Sequence, residues 1–179
     1  MSILRRFSTR DLITIAIMAA IGIAIKPLIS PLSKLISTPL MLPGGSFAGG
    51  FYMMWMVLAV ALTGKPGAAT LFGVIQAVVV LINGSFGNHG ALSLLTYTLP
   101  GLVLDLVAFA FRDKKKLFSH LSLCAIANLT GSLTMSVIIF RNPILMLIAT
   151  GCLALASGIV GGYLSWLIHH ELRRLDLSA

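Results

Sequence analysis

The chain has 179 residues, of which 58% are hydrophobic and 10% charged, with a mean hydropathy of +1.00. Soluble domains carry roughly 25% charged residues, so a water-soluble globule of this composition would leave too much apolar surface exposed. Thirteen Lys and Arg against five Asp and Glu give a formal charge of +8, but the basic residues cluster between apolar runs rather than alternating with aromatics. That pattern argues against nucleic acid as a partner and for an integral membrane protein.

Six apolar segments are predicted as transmembrane helices, at about 11–28, 46–63, 67–83, 91–111, 119–140 and 144–168, most reaching the roughly 17–25 residues needed to cross a bilayer. They are expected to form one compact all-α bundle over residues 1–179. The runs do not alternate in polarity, and backbone groups in lipid must be satisfied within each segment. No secretory cleavage site follows the basic start of the chain. With six spans, one side holds Arg5, Arg6, Arg10, Lys65, Arg112, Lys114, Lys115, Lys116, Arg173 and Arg174, and the other holds Lys26, Lys34 and Arg141. This asymmetry predicts a multi-pass protein of the cell membrane with both termini in the cytoplasm.

The first segment carries Ala16, Ala20 and Ala24 at four-residue spacing, a stripe on which another helix backbone can approach closely. Packing inside the bundle and docking to a separate subunit both fit it. Residues 29–45 follow as an outer loop with Pro31, Pro39 and Pro43, apolar enough to fold back onto the protein. Gly64-Lys65-Pro66-Gly67 makes a short inner turn. The third segment contains Gln76 and Asn83, and the Gly-rich outer loop 84–90 contains Phe86, Asn88 and His89. Together they offer a ring for stacking and several donors and acceptors, although an ordinary exposed turn fits the loop equally.

Polar groups inside a membrane are costly and face the bundle interior. On the fourth segment Tyr97, Gly101 and Asp105 share a face, and on the fifth Asn128, Ser132 and Ser136 do so. Tyr97, Asn128 and Ser132, with Gln76, Asn83, Phe86, Asn88 and His89, are the candidate lining of an outward-facing cavity; bonding among themselves is the alternative. Asp105, in the inner half, fits a proton or cation site, an ion pair with Lys65 or Arg112, or a helix cap. On the last segment Ala154, Gly158 and Gly162 form a second small-residue stripe, expected to pack internally. Cys124 and Cys152 are expected as buried small residues. His169 and His170 diverge by roughly 100° on a helix, so they are expected in an interfacial belt with Trp166 rather than on one metal ion. Arg141, at the edge, is the one cation expected near the outer cavity. A flat, neutral or weakly cationic heteroaromatic solute therefore fits better than a polyanion.

The sequence has no P-loop, HExxH or Gly-x-Ser-x-Gly motif. No enzymatic activity, catalytic residue, metal site or cofactor is expected, and uphill transport would draw energy from a gradient or from another subunit.

The alanine stripe, and the run from Lys65-Pro66-Gly67-Ala68-Ala69 through Asn83-Gly84 to Gly101-Leu102 with Asp105 and Arg112, resemble the substrate-binding S components of energy-coupling-factor vitamin transporters, and among them the thiamine/hydroxymethylpyrimidine-related branch. The resemblance implies a transmembrane T component and two cytoplasmic ATPases as partners, with Ala16, Ala20 and Ala24 as the docking surface. It also implies a vitamin site toward the outside, formed by the last three spans and capped by the first and third-to-fourth loops. The Met-His amino terminus of the nickel and cobalt branch is not seen. A gradient-driven carrier using Asp105, or an assembly protein without a solute, remain the alternatives.

Overall fold

The structure, a computed structural model, describes residues 7–39, 42, 44–82 and 92–175. These form seven helices: α1 (Thr9–Ala24), α2 (Lys26–Ser37), α3 (Gly44–Thr63), α4 (Ala68–Ile82), α5 (Ser93–Ala108), α6 (Leu117–Ile138) and α7 (Ile144–Arg174). Three of them, α3, α6 and α7, are long and apolar enough to cross a membrane, and α1 with α2 adds a fourth if that bent pair is one span. The apolar helices α4 and α5 have 15 and 16 residues, or about 22–24 Å at 1.5 Å per residue. That falls short of a typical hydrocarbon core of about 30 Å.

The predicted loop 29–45 differs most from expectation, because its first part is helix α2. Helix α1 starts on a capping box: the Ser8 hydroxyl accepts from Asp11 N–H at 3.3 Å while the Asp11 carboxylate accepts from Ser8 N–H at 2.7 Å. Its ladder reaches Ile25, whose N–H donates to Ile21 at 3.1 Å. Pro27 then has no N–H to offer, and the chain restarts as α2 at a bend of 44°. Ser33 and Ser37 face inward, with Ser33 donating to the Gly44 carbonyl at 2.5 Å. Leu28, Leu32, Leu35 and Ile36 point outward and are more than half exposed, so α2 is amphipathic with its apolar side away from the protein.

Helix α3 is central and packs against α1, α2, α4, α6 and α7. The helices meet through glycines where backbones nearly touch. A Cβ on Gly50 would lie 1.9 Å from the Ser157 carbonyl oxygen, and one on Gly161 2.1 Å from that of Gly50. Gly73 and Gly101 seat α4 against α5 in the same way, and Gly158 and Gly162 seat α7 against α6. Ala154, Gly158 and Gly162 are all buried, so the small-residue stripe of the last helix is internal packing. The turn between α3 and α4 has Gly64 and Gly67 at φ of +65° and +90°, left-handed values open to glycine at little cost.

Candidate functional site

One end of the bundle gathers the basic residues. Lys65 pairs with Asp11 at 2.5 Å, tying the α3–α4 turn to the start of α1. Lys114 donates to the Gly64 carbonyl at 3.2 Å, which brings the α5–α6 connection to the same end. A cleft of about 190 Å³ there is lined by Gly64, Arg112, Asp113, Lys114 and Lys115.

Asp105 is buried near this end, and its partners decide among its candidate roles. Its carboxylate accepts from the N–H of Ala69 at 3.3 Å and of Thr70 at 2.8 Å, and from the Thr70 hydroxyl at 2.6 Å. These are N–H groups of the first turn of α4, which lack partners inside their own helix. A carboxylate at that position also complements the helix dipole. Asp105 is thus a cap supplied to α4 from α5, while Lys65 pairs with Asp11 instead.

The remaining candidates fall into separate places. Asn128 lies buried within the α3–α6–α7 packing. Its Nδ2 donates to the Ala154 carbonyl at 2.8 Å, its Oδ1 accepts from Ser132 at 3.4 Å, and that oxygen stands where a Cβ on Gly49 would be. Ser136 donates to the Thr150 hydroxyl at 3.5 Å. Gln76 faces α1 and donates to the Ala19 carbonyl at 3.2 Å. Asn83, Phe86, Asn88 and His89 lie outside the described residues.

Tyr97, near the start of α5, has the partner that sequence reasoning missed. The Lys26 ammonium lies 3.9 Å from the centroid of the Tyr97 ring and 5.5 Å from that of Tyr52 on α3. Arg141 is therefore not the one cation at the end of the bundle where α5 begins. Lys26 falls near the end of the predicted first span, 11–28, where it counts only as a topology charge. The bend before α2 turns it back over the rings. The available signal was that Tyr52 and Tyr97 both lie within a few turns of the starts of their helices, the end of the bundle that the end of α1 also reaches.

Other expectations are also corrected. His170 joins Trp166, with ring centroids 5.4 Å apart, but His169 turns inward to meet His120 edge-on at 5.3 Å. Cys124 is buried, whereas Cys152 is exposed on α7. The alanine stripe is resolved by its surroundings: Ala16, Ala20 and Ala24 are exposed, while Ile15, Ala19 and Gly22 form the buried face of α1.

A basic, largely apolar chain whose described elements are all helices, several of them able to span a bilayer, is an integral membrane protein in class. The family described as "ABC-type cobalt transport system, permease component" matches residues 10–131, more than half of the chain, and the protein belongs to that family. No curated protein and no solved structure matches it. As the permease component of an ABC-type transport system, the chain is a non-catalytic membrane subunit that works with ATPase subunits.

Proposed function

We propose that this protein is the S component of an energy-coupling-factor importer, binding a thiamine-like heteroaromatic on the outer side and delivering it through a T component and two ATPases. The observation that carries this reading is the exposed alanine stripe of α1. Its small residues point away from a bundle whose own contacts are made by the opposite face, which suits close approach by a foreign helix.

In this reading the helices α1, α3, α4, α5, α6 and α7 each cross the membrane, and α2 lies along its outer surface with the leucines toward lipid. The basic end is cytoplasmic, as are both termini. A cysteine placed at the exposed position Lys34 is expected to react with an impermeant thiol reagent on intact cells; reaction only in opened cells overturns this orientation.

The solute site lies around Tyr97 and Tyr52, with Asn83, Phe86, Asn88 and His89 closing it from the α4–α5 connection. Asn128, Ser132 and Gln76 contribute through the packing that holds the surrounding helices. The engagement of Asp105 as a helix cap counts against a carrier coupled through that acid.

Titration of the purified protein with thiamine, followed by tryptophan fluorescence, tests the solute. Saturable binding is expected, weakened about 2- to 30-fold in Tyr97→Leu by loss of a ring contact of roughly 0.5–2 kcal/mol. No binding to the wild type sinks the thiamine reading. Unchanged affinity in both Tyr97→Leu and Asn128→Ala places the cavity elsewhere.

A further inference from the structure

Lys26 stands in unusual surroundings for an ammonium. It is half-buried at the first position of α2, and two ring faces lie within the roughly 6 Å over which a cation is attracted to an aromatic quadrupole. Among the described residues it has no carboxylate and no hydrogen-bond partner. The described acids lie toward the other end of the bundle: Asp11 pairs with Lys65, Asp105 caps α4, Asp113 lines the basic cleft, and Glu171 is near the end of α7. The rings come from two different helices, α3 and α5, and α5 is held in register where Gly73 of α4 meets the Tyr97 carbonyl. The pair of rings thus belongs to the packed bundle, while the ammonium arrives on a helix attached through a bend.

An aromatic pair from two packed helices, filled by a side chain on a third helix set off by a bend of 44°, is a site with an internal occupant. We propose that Tyr52 and Tyr97 form a cradle for a flat organic cation, and that Lys26 fills it until the solute displaces the ammonium. The proposal rests on placing the solute site at this end of the protein, and it makes Lys26 a specificity-determining residue. A neutral ring gains less than the ammonium from the two quadrupoles and competes poorly. A cationic ring regains what the ammonium loses and stacks over a larger area. Displacement also frees the start of α2, so occupancy of the cradle is coupled to the position of that helix.

Competition fixes the sign of the test, because removing an internal competitor tightens binding, whereas removing a partner of an anionic solute weakens it. Full-length protein is titrated by calorimetry with N-methylpyridinium, with thiamine and with benzoate. Lys26→Met is expected to bind both cations about 2- to 30-fold tighter than wild type, the range set by typical cation–π strengths. Lys26→Arg, which keeps the charge, is expected to stay close to wild type, and Lys26→Gln repeats the test should the Met variant not fold. Weaker or unchanged binding of N-methylpyridinium to Lys26→Met and Lys26→Gln overturns the cradle, as does its failure to bind any of the proteins. Benzoate binding by wild type that disappears in Lys26→Met overturns it too, and assigns Lys26 to an anionic solute. Tighter N-methylpyridinium binding with no response to thiamine leaves the cradle standing and removes thiamine as the solute.

Discussion

Ala20→Trp is expected to reduce solute uptake by up to about 100-fold while leaving solute binding to the isolated protein intact. The change places an indole in the middle of the outward stripe formed by Ala16, Ala20 and Ala24. A partner helix seated there meets the indole where a methyl group stood. Such overpacking typically costs about 1–3 kcal/mol and occasionally more, and the upper end of that range is roughly 100-fold in affinity. The protein itself tolerates the change, because its own packing uses the opposite face through Ile15, Ala19 and Gly22. Ala19→Trp is the matched control. Ala19 is fully buried and its carbonyl accepts from Gln76, so that variant is expected to lose folded protein altogether. Co-purification with the T component, uptake by whole cells and binding to detergent-solubilised protein separate the two cases. If Ala20→Trp loses folding and binding together with uptake, the stripe is internal packing and the docking surface lies elsewhere.

Side-chain spacing made some of this legible. Four-residue periodicity identified Ala16, Ala20 and Ala24 as one face and Ala154, Gly158 and Gly162 as another, but spacing is symmetric between inside and outside. Only the neighbours on α1 decide: Ile15, Ala19 and Gly22 have partners in α3 and α4, and the alanines do not. Apolar runs located six of the seven helices because burial in lipid or core selects the same residues. The seventh, α2, was read as loop since its prolines and serines suppress the apolar signal. In the fold those features make sense: Pro27 sets the bend, Ser33 reaches the Gly44 carbonyl, and the leucines face outward. Lys26, at the end of the predicted span 11–28, was read only as a charge that sets topology. Its position over Tyr97 depends on an angle of 44° between two helices, and no local pattern encodes that angle. From its position along the segment, Asp105 could be placed toward the end that leads to the basic α5–α6 connection. Its partner, the first turn of α4, required knowing that α4 and α5 lie side by side.

Gly161→Leu is expected to abolish accumulation of folded protein, and the reason lies in which atoms meet. A Cβ at this position would lie 2.1 Å from the Gly50 carbonyl oxygen, 2.4 Å from its carbonyl carbon and 2.7 Å from its Cα. All three are backbone atoms of α3, so no rotamer change relieves the clash and the two helices must separate. The reverse contact is equally close, with a Cβ on Gly50 falling 1.9 Å from the Ser157 carbonyl oxygen. Separation would also part the Gly50 N–H from the Ser157 hydroxyl at 3.1 Å, and that hydroxyl from the Phe47 carbonyl at 2.5 Å. Overpacking a tight core typically costs about 1–3 kcal/mol and occasionally more, and each buried polar group left unpaired adds about 1–3 kcal/mol. The sum is a large fraction of the 5–15 kcal/mol that holds a typical domain together. Gly151→Leu provides the contrast, since the nearest atom to a Cβ there is a flexible Leu129 methyl at 3.6 Å. Size-exclusion profiles and thermal unfolding of the two variants in detergent measure the difference. A Gly161→Leu protein as monodisperse and as heat-stable as Gly151→Leu would mean that α3 and α7 do not pack backbone to backbone.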